Sequence, residues 1–352
     1  MAGWIFTAPA LIILGLFLVL PVLMAVWVSV SDWRGQGSPF SSGVSFIGAD
    51  NYKALLDGDG GLQARDFSTA LRNNLWYVLL VVPLQTMLSL FLAVLVNRKA
   101  LKGRGFFRTA FYFPSVTSSV AIVIVFLFLF SGSGAVNGML SYIGINGPNW
   151  FADPRGVLHL LFGVFGVDSA PAALSGGGPL AISWWEWLAG PSVAMCALIL
   201  LAVFTTSGTF MLLFLAALQN VSGEVEEAAL LDGTTGWQRF RFVTLPLLRP
   251  TLFTVLTLGV IGTWQVFDQI YVGTQGGPGK TTITPAYLSY TSSFVNNRWG
   301  QGAAIAFILF AIIVTLTVIQ RWILKERGVP KRKRYLNAAG ELRAVTTTEA
   351  AR

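Results

Sequence analysis

The side chains in this sequence that could do chemistry sit inside apolar sequence, in two clusters. Thr205, Thr206, Ser207, Gly208 and Thr209 form an unbroken run of small, mostly hydroxyl-bearing residues within the stretch 191–218. Gly259, Gly262, Thr263, Trp264, Gln265, Asp268 and Gln269 gather in the stretch 251–272, where Gln265, Asp268 and Gln269 have the i, i+3, i+4 spacing of one helical face. Polar groups are costly in hydrocarbon and normally face a neighbour or a water-filled cavity. Hydroxyls, amides and an indole suit a sugar, whose hydroxyls want hydrogen bonds and whose flat C–H faces want an aromatic ring. The competing reading is helix packing, in which small residues let helices approach and hydroxyls bond their own backbone.

Other chemistries find no residues. Cys196 is the one cysteine and His159 the one histidine, so neither a disulfide, a thiol or histidine metal site, nor a Ser/His or Cys/His pair can be assembled. The segment GGPGKTT at 276–282 resembles the end of a phosphate-binding loop, but the glycine that should lead it falls at Thr274. A tight Gly-Pro turn between helices explains it better.

The elements that must position the two clusters are membrane spans. With 54% hydrophobic and 11% charged residues in 352, the chain exceeds what one soluble domain of ordinary make-up can bury. Crossing a bilayer takes roughly 20 helical residues. Six runs of that order occur, at 4–30, 74–96, 109–131, 191–218, 251–272 and 302–323, and predict an all-α integral membrane protein. The first run has no basic start and no small-residue cleavage site before Ser31 and Asp32, so it reads as a span and not a signal. The shorter run 157–167 is broken by Gly163 and Gly166 and reads as an interfacial segment.

The 24 Lys and Arg residues orient the spans. If the first span starts inside, only Arg34, Lys53, Arg65, Arg72, Arg155, Lys280 and Arg298 lie outside, and the rest fall inside, including the 331–334 cluster KRKR. Both termini are then cytoplasmic. The net charge of +8 reflects topology and contact with anionic lipid. Nucleic acid is not an expected partner, because no aromatic-interleaved soluble module accompanies the charge. The organisation expected is a first span with its outside loop over 1–72, a five-span core over 73–323 with an outside loop at 132–190, and an unstructured basic tail over 324–352.

One inside segment is more than a joint. Residues 224–246, EVEEAALLDGTTGWQRFRFVTLP, carry the punctuation of two short helices with a bend between them. Ser222 can cap a first helix whose early turns hold Glu224, Glu226 and Glu227, near the positive end of its dipole. Ala228 and Ala229 give a small face, and Asp232-Gly233 can end the helix with a left-handed residue. A second helix can restart at Thr234 or Thr235, group Trp237 with Phe240, and stop at Leu245-Pro246. Four acids within nine residues argue against a loop lying on the negative inner leaflet.

Glu227-Ala228-Ala229, then Asp232-Gly233, nine residues, Val243 and Leu245-Pro246 resemble the EAA signature of the membrane subunits of bacterial ATP-binding-cassette importers. Val243 replaces the family's usual isoleucine and Thr234 its usual alanine. Ala8-Pro9 and Pro21, FIGADNYKALL at 46–56, FFRTAFYFPS at 106–115, GTFMLLFLAALQNV at 208–221 and TQGGPGKTT at 274–282 are similar to the carbohydrate branch, the MalF-like and UgpA-like permeases. The likeness covers most of 4–326 and departs in the long loop 132–190 and in the absence of a basic leader.

The resemblance implies the six-span fold of a type I importer permease in the bacterial cytoplasmic membrane. It implies coupling to an ATPase through Glu226, Glu227, Ala228, Ala229, Asp232, Gly233, Leu245 and Pro246. The expected partners are a second homologous permease, a dimer of ATPase subunits, an external solute-binding protein and a sugar. ATP is used by those ATPases, and this chain is expected to bind no cofactor and catalyse nothing. The alternatives are the same machinery serving glycerol-phosphate or another small polar solute, or a stand-alone ion-coupled transporter. The last would need buried ionisable groups in the path, where Asp268 stands alone.

Overall fold

The computed structural model describes residues 2–58, 61–98, 101–167, 169–323, 333–336 and 342–345. Apolar sequence dictates its helices. The first, α1 (Phe6–Ser29), is continuous although it contains Pro9 and Pro21. A wide turn at Gly15–Val19, in which the Leu20 N–H reaches back to Gly15 O, precedes Pro21, which has no N–H to offer. After the short α2 (Asp50–Leu56), α3 runs over Gly61–Asn97. It begins well before the expected start at 74, so the boundary drawn at 72 falls inside a helix. Ala64, Phe67, Ser68 and Ala70 are buried there, and this packing recruits polar sequence into the helix.

The third expected span, 109–131, is not continuous. It is α4 (Arg104–Val116) and α5 (Ser119–Leu129), bent by 96° at Thr117 and Ser118, neither of them helical. Pro114, which cannot donate, sits in the last turn of α4. A short helix, α6 (Val157–Val164), falls within the run read as interfacial and exposes Leu161 and Val164, with Phe165 exposed just beyond it. Then α7 (Val193–Gln219) forms the centre of the bundle, with Ser192 Oγ accepting from Met195 N at its start.

Beyond α7 come α8 (Gly223–Leu231), α9 (Gly236–Leu247) and α10 (Arg249–Trp264), with a bend of 68° between the last two. The fifth expected span, 251–272, is also broken. Helix α10 stops at Trp264, and α11 (Asp268–Gly273) resumes after Phe267, whose φ of −134° and ψ of −59° are not helical. Backbone at membrane depth needs internal partners. Asn74 Nδ2 donates to Trp264 O at 3.3 Å and Thr284 Oγ1 to Val266 O at 3.1 Å, so two carbonyls at the break are satisfied. Finally α12 (Pro285–Tyr290) leads through a wide turn to α13 (Trp299–Ile323). Among the described residues four helices are long and apolar enough to cross a membrane, α1, α3, α7 and α13; two bent pairs bring the number to as many as six.

The core follows α7. Tyr77 and Val81 of α3 pack with Met195, Leu198 and Ala202 of α7 and with Val266 and Ile270. A second cluster joins Ala93 and Val96 of α3 to Phe210, Met211, Phe214 and Leu218, with Leu248 and Val255 of the α10 region. Segments expected outside meet at one end of this bundle. Arg65 pairs with Glu186 at 2.9 Å, Lys280 with Asp66 at 2.7 Å, and the Trp33 ring meets that of Trp299 in a tilted contact at 5.4 Å. Trp76 Nε1 donates to Trp187 O at 3.0 Å, which ties the 132–190 loop to α3. Desolvation works against the Glu186 carboxylate, but the Ser183 N–H, Arg65 and the Ser183 hydroxyl outweigh it and hold its pKa below the usual value. His159 stacks on Trp185 at 4.2 Å and is a packing residue.

In the tail, Lys333–Leu336 pairs antiparallel with Leu342–Val345, where no regular structure was expected. The remainder of 324–352 lies outside the described residues.

Candidate functional site

Folding brings the two polar clusters to one place. A cavity of about 290 Å³ is walled by Tyr77, Val81 and Gln85 of α3, Ala202, Thr206 and Phe210 of α7, Gly259, Gly262 and Thr263 of α10, and Gln265 to Gln269. A second of about 290 Å³ adjoins it, lined by Pro114, Ser115 and Thr117 at the α4–α5 break, Thr205 and Thr209 of α7, and Ser119, Thr206, Phe210 and Gln269, which are common to both. The two cavities thus lie between the two broken helices.

The breaks change how the expected residues contribute. Gln265, Asp268 and Gln269 do not form one helical face, because α10 ends before them; the turn at 265–267 brings them to the same cavity instead. Trp264, expected beside them, is 4% exposed and packs with Val78, Val82, Leu309 and Ile313, away from the cavity lining. Within the hydroxyl run, Thr205, Thr206 and Thr209 face the cavities, whereas Ser207 is buried and donates to Val203 O. Gly208 is a packing residue: a Cβ there would lie 2.4 Å from Phe111 O and 2.5 Å from Ser115 Oγ. Gly259 plays a similar part against Gln85.

Sequence reasoning passed over Tyr77, Gln85, Ser119 and Phe267, all of which line the first cavity. Gln85 carried a readable signal, a lone amide in the apolar run VVPLQTML. The Tyr77 hydroxyl donates to Gln269 Oε1 at 2.9 Å, which links α3 across the break. The polar equipment of the lining is hydroxyls, amides and one carboxylate, Asp268; neither Lys nor Arg lines either cavity. Among the described residues no group of His, Cys, Asp and Glu could hold a metal ion.

The 220–248 segment makes the second site. Helix α8 closes with Gly233 at φ 72°, the Gly233 N–H on Leu230 O at 3.0 Å and the Thr234 N–H on Ala229 O at 3.2 Å, the paired bonds of a left-handed helix stop. Thr234 Oγ1 adds a bond to Ala229 O at 2.6 Å. Ser222 occupies the N-cap position but makes no side-chain cap bond, contrary to expectation. At α9 the cap is Thr235, reciprocated by Gln238. The helix runs past the expected stop at Leu245-Pro246 to Leu247, because a wide turn at Phe240–Thr244 sends the Leu245 N–H to Phe240 O and admits the proline. Trp237 stacks on Phe240 at 5.8 Å.

Ala229 is buried, while Glu227, Ala228 and Asp232 are exposed; of Glu226 only the backbone is described. Leu231 is 89% exposed and Trp237 68%, with Leu230 and Phe242 also open. Leu248, itself buried in the core, is the one residue between α9 and α10, so this surface is joined directly to a wall of the cavity.

A family model described as "Binding-protein-dependent transport system inner membrane component" matches residues 85–327. A probable ABC transporter permease protein of Pyrococcus horikoshii is 32% identical over 89% of this chain and 92% of its own length. The lactose transport system permease protein LacF of Rhizobium radiobacter is 31% identical over 92% and 94%, and the trehalose/maltose transport system permease protein MalF of Thermococcus litoralis 28% over 90% and 91%. In three dimensions the chain matches a chain of the crystal structure of a bacterial ABC transporter involved in the import of the acidic polysaccharide alginate, with a TM-score of 0.69, 20% identity, and coverage of 93% and 97%. That likeness fixes the fold as that of a type I importer permease. By the family match and the share of the chain it spans, this protein belongs to the binding-protein-dependent transport system inner membrane components.

Proposed function

We propose that the chain forms half of the translocation pathway of an ATP-driven sugar importer and takes its motion from ATPase subunits docked on α8 and α9. One observation carries the coupling: a charged segment that exposes Leu230, Leu231, Trp237 and Phe242 continues through the single buried residue Leu248 into α10, which walls the cavity. Apolar side chains on a charged loop fit a groove on a protein partner. Movement of that partner tilts α10 as a lever and changes the cavity.

The proposed orientation puts the 220–248 segment and both termini on the cytoplasmic side, in keeping with the distribution of Lys and Arg. The opposite end, built from Arg65–Glu186, Lys280–Asp66 and the 132–190 loop, would receive an external solute-binding protein. A second homologous permease completes the path. ATP belongs to the partner ATPases, and this chain has no catalytic role of its own.

Sugar is the substrate class that the lining favours. Hydroxyls, amides and Asp268, without Lys or Arg, suit a neutral polyhydroxyl solute better than a phosphate ester. Two of the relatives are named for lactose and for trehalose and maltose. The test is reconstitution in liposomes with the second permease, ATPase and binding protein encoded by neighbouring genes. Hydrolysis stimulated at least fivefold by the sugar-loaded binding protein, with none from the purified chain alone, is expected. Robust hydrolysis by the isolated chain would refute the division of labour, and stimulation only by a phosphate ester would refute the sugar.

A further inference from the structure

Gln85 stands in mid-α3, 1% exposed, where α7 and α10 converge on it. Its Oε1 lies 2.7 Å from Thr206 Oγ1 of α7, and its Nε2 is buried without a hydrogen-bond partner. On the α10 side the neighbour is Gly259, where a Cβ would come within 2.5 Å of Nε2, so the missing side chain is what leaves room for the amide. The Thr206 hydroxyl has one proton and a second acceptor, Ala202 O, also at 2.7 Å. If the proton goes to Ala202 O, the amide satisfies Thr206 by turning over and donating from Nε2. Its Oε1 then takes the unpaired place beside Gly259. Either way the amide leaves one atom unsatisfied, on a residue that lines the cavity.

An unpaired buried amide atom is unfavourable by more than a typical hydrogen bond contributes net. The next buried polar residues along the helix, Thr86 and Ser89, are satisfied by carbonyls of the helix itself. Val78, Val81 and Val82, the preceding residues of the same buried stripe, are apolar and pack in the core. We propose that Gln85 is a substrate-reading residue whose unpaired atom is completed by a hydroxyl of the transported sugar; this rests on the sugar reading of the cavity given above. A hydroxyl both donates and accepts, so it satisfies the amide in either orientation. Gly259 covers the amide in this conformation and belongs to α10, the helix moved from α8 and α9. Tilting α10 uncovers the amide, which makes its exposure to substrate depend on the state of the coupling loop.

The experiment uses the complete transporter in liposomes with radiolabelled lactose, maltose and arabinotriose, followed by each monodeoxy derivative of the sugar that is taken up. Gln85→Leu should assemble normally and lower uptake of the parent sugar at least tenfold. One monodeoxy derivative should be taken up at least tenfold less well than its parent by the wild type, yet as well as its parent by Gln85→Leu, because a site without the amide gains nothing from that hydroxyl. Wild-type uptake by Gln85→Leu, or the same deoxy penalties in both proteins, overturns the proposal. So does failure of both Gln85→Leu and Gln85→Met to assemble, since the amide would then be a structural tie between α3 and α7. Uptake of no sugar by the wild type is a separate result that removes the sugar reading before any variant is compared.

Discussion

Two glycines show how one residue type serves different ends in neighbouring helices. At Gly208 the space for a side chain is filled by Phe111 O and Ser115 Oγ, and a backbone carbonyl on a neighbouring helix cannot swing aside. Gly262 lines the cavity, and a Cβ there meets nothing within 4 Å. Helix propensity favours alanine over glycine at both positions by about 1 kcal/mol, so the sign at each is decided by the surroundings. Gly208→Ala should be destabilising by about 1–3 kcal/mol through overpacking of α4 on α7. Gly262→Ala should be neutral or slightly stabilising. Thermal unfolding in detergent checks both. Gly262→Leu, which fills cavity volume, should lower uptake without lowering the unfolding midpoint. An unchanged midpoint for Gly208→Ala would return that residue to the pathway, where its place in the hydroxyl run had put it.

At the scale of elements, hydropathy made the apolar runs legible because burial in hydrocarbon leaves a compositional trace in every residue. Direction leaves none. The turns at 117–118 and 265–267 lie in polar sequence, PSVTSS and QVFDQ, but the equally polar run TTSGT stays helical within α7, and the second turn depends on distant partners, Asn74 and Thr284, that take up freed carbonyls. The same turns put Trp264 into the core and Gln265, Asp268 and Gln269 into the cavity lining, so the cluster is divided and its members at the cavity do not share the helical face expected. The coupling segment was more legible because its stop is chemical: Gly233 is left-handed at φ 72° and closes α8. Proline cannot adopt that angle and has no N–H for Leu230 O, so Gly233→Pro should misdirect α9 relative to α8. Glu227→Lys reverses an exposed charge on the proposed docking face, which should slow or abolish association with the ATPase. In a pull-down from mild detergent both variants should retain under a tenth of the ATPase held by the wild type, while Arg343→Glu in the tail should retain it all. Full retention by Gly233→Pro and Glu227→Lys would make the segment a passive loop.

For the molecule as a whole, the coupling proposed above would join the two breaks, the cavities between them and the 220–248 segment in one mechanical series, which requires one orientation across the membrane. Residues such as Arg65, Lys280 and Trp33 meet at one end through ion pairs and ring contacts, whereas Arg104, Arg239 and Arg249 belong to elements at the other. In the orientation proposed from the charge excess, that second end faces the cytoplasm. Single cysteines test the assignment after replacement of the native Cys196, half-buried in α7, by alanine. Ser41→Cys and Ser175→Cys lie on exposed loops at the first end, and Trp237→Cys on the exposed face of α9. A membrane-impermeant maleimide applied to intact cells should label positions 41 and 175 and leave 237 unlabelled until the membrane is permeabilised. Occupancy of the coupling face should then show as protection: position 237 should label at least tenfold more slowly in permeabilised cells that contain the ATPase subunits than in cells lacking them. Labelling of 237 from outside would invert the topology and remove the ATPase from reach of the segment. Equal labelling rates with and without the ATPase would leave the topology standing and refute the docking face.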